Sequence, residues 1–232
     1  MKIGRRTVNA VRYMLEDLLP PALRDSPLFL PLMYLVWGRD APRFIAFRER
    51  VRSMSAEEYA GFYAKITPIH GECDLNRRCI ERILAEVQGE RILDAGCGRG
   101  HLAGLIARAD PGATVVGADL APPEVQGLPN LSFVEGWLGR LPFADKSFDT
   151  VVCTHVLEHL PDLDGALADL RRIARQRLIL VVPREREAKY PLNLHVHFFP
   201  YRHSFLNRIA APEGRFDCEV LQGDIYYRED MG

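Results

Sequence analysis

The chain has 232 residues, 47% of them hydrophobic and 26% charged, and a formal net charge of −1. This is globular composition, which excludes disorder, a collagen repeat or a coiled coil as a description of the whole chain. The near-neutral balance supplies no global attraction to nucleic acid or to an anionic membrane, although residues 1–80 carry +4 and the rest −5.

Arginine dominates the cations, with only Lys2, Lys65, Lys146 and Lys189 as lysines. The five cysteines are Cys73, Cys79, Cys97, Cys153 and Cys218. They are odd in number and form no Cys-x-x-Cys pair, so neither a disulfide framework nor a zinc knuckle is expected. Reduced thiols predict a cytoplasmic protein. No apolar run followed by a small-residue cleavage site marks a signal peptide. The longest apolar stretch, Leu28 to Trp37, is shorter than the roughly 20 residues of a membrane span, so none is expected.

Residues 1–88 read as helices broken by prolines. Val8, Val11, Leu15, Leu18 and Leu19 recur at helical spacing before Pro20-Pro21. A second helix is predicted over residues 41–54. Ser55 then has the pattern of an N-cap, with Glu58 at the third helical position forming a capping box. The following helix carries Tyr59, Phe62, Tyr63 and Ile66, and another is predicted over residues 75–87.

From Arg91 the texture changes to short apolar runs separated by helices. Strands are predicted at 91–94, 114–118, 131–135, 150–154, 178–182, 216–221 and 224–228, with helices at 102–108 and 163–174. Near-continuous apolar strands with helical crossovers imply an α/β fold, a doubly wound parallel sheet covered on both faces. The last two runs are separated only by Gln222-Gly223, which predicts an antiparallel hairpin at the sheet edge.

The stretch from Arg91 to Ala103 holds Asp94-Ala95-Gly96-Cys97-Gly98-Arg99-Gly100. It reads as strand, tight glycine turn, helix, and such a turn lies at the ligand-binding edge of a doubly wound sheet. The dinucleotide pattern is not met, because His101 stands where the third glycine belongs. An acid beside a pyrophosphate would repel it, whereas a ligand bearing an ammonium group suits Asp94. The next strand ends at Asp119, 25 positions later, where a carboxylate can accept from ribose hydroxyls.

These segments resemble class I S-adenosylmethionine-dependent methyltransferases of the small-molecule subgroup. Ile92–Gly100 is similar to the family's first motif and Val116–Leu120 to its second. Leu141–Asp149 and Val156–Asp162 resemble the segments around its fourth strand. The resemblance covers about residues 90–182. It implies a Rossmann-like, mostly parallel seven-stranded sheet over 89–232, with an N-terminal helical lid over 1–88 that binds the acceptor. It also implies S-adenosylmethionine as cofactor. Asp94, Ala95 and the Gly96, Gly98, Gly100 turn would hold the methionine part, Asp119 the ribose, and Leu120 would pack on adenine. The family's usual Gly-Asp after the third strand is here Gly136-Trp137. Trp137 cannot accept from the adenine amino group, so stacking by Trp137 and the Leu138 N–H are the expected replacements.

Methyl transfer is an in-line displacement at a sulfonium carbon, and an oxygen or carbon acceptor must also lose a proton. His155 and His159, beyond the fourth strand, and His197 are the candidate bases. In similar enzymes a His near the His159 segment pairs with an N-terminal Tyr, which singles out Tyr59 and Tyr63. Tyr63 is expected to contact the cofactor, and Phe62 and Arg77 or Arg78 are expected as further lid contacts. His195, His197 and His203 cluster without a carboxylate nearby in sequence, so no metal is expected. The partner implied is a small-molecule acceptor such as a specialised metabolite, with no nucleic acid and with a homodimer as one assembly. The alternatives are an RNA methyltransferase using the N-terminal charge, a non-catalytic cofactor-binding subunit, and, least favoured, a nicotinamide oxidoreductase.

Overall fold

The computed structural model describes residues 14, 18–63, 75–124, 127–190 and 193–232. The expected helix around Val8, Val11 and Leu15, the side chain of Tyr63, Ile66 and Cys73 lie outside the described residues. The chain divides into two compact units. One comprises Met1–Gly71 and Glu185–Phe198, the other Glu72–Arg184 and Phe199–Gly232.

The second unit is the sheet. Its strands are β1 (Arg91–Ala95), β2 (Thr114–Asp119), β3 (Leu131–Glu135), β4 (Phe148–Thr154), β5 (Ala174–Pro183), β6 (Phe216–Leu221) and β7 (Asp224–Asp230). The order is β3-β2-β1-β4-β5-β7-β6. The first five strands run parallel, and β7 and β6 close the edge antiparallel. All seven predicted strands are present. Gln222 and Gly223 both take positive φ, 48° and 96°, as the two-residue hairpin turn that matches strand twist requires.

Alternation along the strands loads both faces. Leu93, Val151, Cys153, Leu178 and Leu180 pack on one side against Leu167, Leu170 and Ile173. Ile92, Val115, Val152, Ile179 and Tyr226 pack on the other with Cys79, Ile83, Leu102 and Ile106. The helices that supply these residues are α6 (Arg77–Glu86), α7 (His101–Ala109) and α8 (Leu163–Ile173). Asn76 caps α6, its Oδ1 accepting from Cys79 N at 3.0 Å, and Asp162 caps α8 by accepting from Gly165 N at 2.9 Å.

The first unit holds α1 (Pro21–Arg24), α2 (Leu30–Trp37), α3 (Ala41–Ile45), α4 (Phe47–Arg50) and α5 (Ala56–Tyr63). The single helix expected over 41–54 is instead α3, α4 and a 3₁₀ turn at Val51–Ser53. The chain leaves the helical ladder at Ala46, with φ −80° and ψ −4°. The Ser55 capping box forms, Glu58 N donating to Ser55 Oγ at 3.2 Å and Ser55 N to Glu58 Oε2 at 3.1 Å. Trp37 stacks on Phe44 at 3.9 Å, and Phe62 sits against Phe44 and Phe47 at 5.8 and 5.3 Å. Tyr59 is buried beside Phe47.

Two arginines tie Glu185–Phe198 to these helices. Arg24 Nη1 donates to Tyr190 O at 2.7 Å. Arg48 donates from Nε to His195 O at 3.0 Å and from Nη1 to Ala188 O at 2.6 Å, and its guanidinium lies over the Phe198 ring. The division therefore differs from a break at 88–89. Helix α6 belongs to the sheet because Cys79 and Ile83 bury on its face, and Arg77 and Arg78 go with it. Arg77 is exposed and pairs with Glu81 at 2.7 Å.

Candidate active site

Strand order reverses between β1 and β4, the place where open α/β sheets bind ligands. The glycine turn leaves β1 at this point. Gly96, Gly98 and Gly100 have φ of 79°, 52° and 74°, a region in which a Cβ is strained. Gly96 needs the room as well, because a Cβ there would collide with Val156 Cγ2. Gly96 N and Cys97 N donate to Ala118 O at 2.7 and 3.0 Å, which binds the turn to the end of β2.

Two aspartates flank the turn and differ in environment. Asp119 is half-buried. Its Oδ2 accepts from Gly98 N at 2.9 Å and its Oδ1 from Ala121 N at 3.2 Å. Asp94 is 1% exposed and its Oδ2 has no hydrogen-bond partner. Burial pushes its carboxyl up to about 7; the Ala103 backbone N–H opposes this and the nearby Asp119 charge adds to it. A buried carboxylate oxygen without a partner is costly, and a cationic donor would remove the cost. Leu120, next to Asp119, is 36% exposed for a large apolar residue.

Residues 93–182 match the family model described as a methyltransferase domain. A ubiquinone biosynthesis O-methyltransferase of Paracidovorax citrulli is 43% identical over 102 residues, 40% of this chain and 42% of the relative. A demethylmenaquinone methyltransferase of Thermus thermophilus is 38% identical over 106 residues, 42% of this chain and 47% of the relative. The match spans less than half the length of these relatives. The crystal structure of a SAM-dependent methyltransferase from Aquifex aeolicus superposes with a TM-score of 0.52 at 19% identity, over 65% of this chain and 88% of that one, a likeness of fold. The matched segment, residues 93–182, is thus similar to a methyltransferase domain.

The residues at this turn fit S-adenosylmethionine, the cofactor that the resemblance implies. The unpartnered Asp94 Oδ2 suits an ammonium group, and Gly98, where a Cβ would meet nothing within 4 Å, admits a close backbone approach. Ala95 is fully buried in the core under the turn, and the Leu138 side chain is buried with Leu141. Trp137 is half-buried. Cys97 and Cys153 are buried, and burial pushes both thiols up, so neither acts as a nucleophile at neutral pH.

The three candidate bases separate. His155 and His159 lie in the sheet unit after β4, and His197 lies in the other unit. His155 is set between two carboxylates. Its Nδ1 is 3.5 Å from Glu158 Oε1 and its Nε2 is 3.4 Å from Asp224 Oδ2. Burial lowers its pKa, but Asp224 and Glu158 outweigh that and raise it to about 10. Two carboxylates beside the ring favour its protonated form, which makes it a poorer proton acceptor. His159, on the 3₁₀ turn Leu157–His159, is half-buried with Nε2 3.9 Å from Glu158 Oε1. Glu158 and Asp224 were not singled out in the sequence. Asp224 comes from β7, 69 positions after His155, and only the antiparallel hairpin brings it there. His195 does meet a carboxylate, Nδ1 lying 2.6 Å from Glu185 Oε2.

Proposed function

We propose that this protein transfers the methyl group of S-adenosylmethionine to a small-molecule acceptor of the phenol or quinol type. The observation that carries the reading is Asp94: a carboxylate buried at the switch point of the sheet with one oxygen unpartnered, beside a turn of three left-handed glycines. The cofactor supplies the electrophilic methyl carbon. In this reading Asp94 binds and orients its ammonium group, Asp119 accepts from the ribose, and Leu120 and Trp137 cover the adenine. Asp119 then has two tasks, since it also braces Gly98.

The acceptor class rests on the names of the relatives, which act in ubiquinone biosynthesis and on demethylmenaquinone. A phenolic hydroxyl, with an ordinary pKa near 10, needs a proton acceptor as the methyl arrives. His159 takes that part here, because His155 is committed to two carboxylates. Selection of the acceptor falls to the N-terminal unit, with His197 as one of its contacts.

The test is production of S-adenosylhomocysteine from S-adenosylmethionine with a panel of quinols, catechols, fatty acids and transcribed RNA. Turnover with quinols or catechols supports the reading. Turnover only with RNA, or binding of cofactor without turnover on any arm, overturns it.

A further inference from the structure

The segment after β4 carries a charge arrangement that the cofactor contacts above do not use. His155 has φ 54°, a left-handed backbone uncommon for a residue with a Cβ. Such strain persists only when the surroundings hold it. Here they do so on three sides. Its N–H donates to Val181 O at 2.9 Å. Its ring lies between Glu158 Oε1 and Asp224 Oδ2, at 3.5 and 3.4 Å, and both acids are buried. Asp224 is itself fixed, since its Oδ2 accepts from Asn76 Nδ2 at 2.8 Å, and the same amide donates to Leu221 O. Asn76 in turn caps α6. The chain of contacts thus runs from α6 and the β6–β7 hairpin to the end of β4.

The next residue, Val156, meets the glycine turn. Its Cγ2 occupies the space that a Cβ on Gly96 would need. The direction of Val156 follows from the left-handed turn at His155, so what fixes His155 also fixes the wall behind Gly96. We propose that His155 is a positioning residue of the cofactor site. Set between Glu158 and Asp224, it holds the turn that seats Val156 on Gly96. The proposal rests on the cofactor reading above and gives His155 a task distinct from proton transfer. Two buried carboxylates facing one another would be unfavourable without a cation between them, so the ring neutralises the same contacts it orients.

The experiment is calorimetric titration with S-adenosylhomocysteine, well below the melting midpoints of all variants. The variants are His155→Asn, Val156→Ala and the double variant H155N/D224N. Asn tolerates the left-handed backbone, so H155N removes the clasp while keeping the turn accessible. H155N can fail to fold because it leaves Asp224 and Glu158 without their cation. The double variant removes one of those charges and covers that case. Val156→Ala leaves the charges untouched and deletes only the contact with Gly96.

The expected result is affinity about tenfold weaker or more in each folded variant, equivalent to ~1.4 kcal/mol. The Gly96 and Gly98 amide resonances should also shift in H155N relative to wild type, which a role confined to global stability would not produce. Wild-type affinity in both the folded His155 variants and V156A, with unshifted glycine amides, overturns the positioning role while leaving the cofactor reading intact. If wild-type protein itself does not bind S-adenosylhomocysteine, the cofactor reading fails and this inference falls with it.

Discussion

Asp119 Oδ2 accepts a hydrogen bond from Gly98 N at 2.9 Å, so the acid that ends β2 braces the glycine turn that leaves β1. The parallel register places Ala95 opposite Ala118, and the bond follows from that alignment. Asp94, one strand over and fully inside, has no comparable donor on its Oδ2. The two acids therefore divide the work. One shapes the turn, and the other keeps a buried carboxylate oxygen without a hydrogen-bond partner.

Asp94→Asn should separate binding from stability. The amide keeps the shape and removes a buried carboxylate that lacks a partner. Relieving an unsatisfied buried group is worth ~1–3 kcal/mol, and each kcal/mol moves Tm by about 2–4 °C in a chain of this size. We expect Tm to hold or rise by several degrees while S-adenosylhomocysteine affinity falls about a hundredfold. Thermal melts and calorimetry on the same preparation check this. A large loss of Tm would mean that Asp94 is a structural residue.

The same group sets a pH dependence. The Asp94 carboxyl ionises near 4 in the unfolded chain and at about 7 in the folded one. Its raised pKa means that the stability it contributes is present below about pH 4, declines as pH rises to about 7 and is constant above. Binding of an ammonium group goes the other way, because it needs the ionised form. S-adenosylhomocysteine affinity should rise between pH 6 and pH 8 and then level off, and the D94N variant should show a flat profile. Titrations across that range at constant ionic strength make the comparison.

The glycines of the turn are not equivalent. Gly96→Ala adds a Cβ at φ 79° and drives it into Val156. Gly98→Ala meets φ 52° but nothing within 4 Å. Left-handed strain alone costs ~1–2 kcal/mol, and overpacking adds ~1–3 kcal/mol. Denaturant unfolding should therefore find G96A less stable than wild type by ~2–5 kcal/mol and G98A by only ~1–2 kcal/mol. Equal losses would contradict the packing of Val156 on Gly96.

In the N-terminal unit, Arg48 holds the carbonyls of Ala188 and His195 and covers Phe198. Arg48→Ala removes both donors, at ~1.5–3 kcal/mol for a hydrogen bond to a charged group, and leaves those carbonyls without them. Amide exchange along residues 185–198 should accelerate at least tenfold, with the strand amides of the sheet unchanged. Arg48→Lys should restore little, since one ammonium cannot reproduce the forked donor geometry.

Local chemistry made much of this protein legible from its residues. The seven strands followed from apolar runs, the hairpin from Gln222-Gly223, the Ser55 cap from Glu58 three residues on, and the tight turn after β1 from its three glycines. Each of these is decided within a few residues, by side-chain alternation, by a cap or by backbone freedom. The fate of His155 is of another kind. Its sequence neighbours place it at the binding edge of the sheet, where a histidine reads as a base. Glu158 lies three positions away, but Asp224 arrives from a strand that pairs antiparallel to β5, and the two acids together flank the ring and favour its charged form. The same holds for the division of the chain. Helix α6 and the segment 185–198 each belong to the unit that buries their side chains or binds their carbonyls. Charge state and membership are set by what folding brings together, and the sequence by itself determined only which side chains were available.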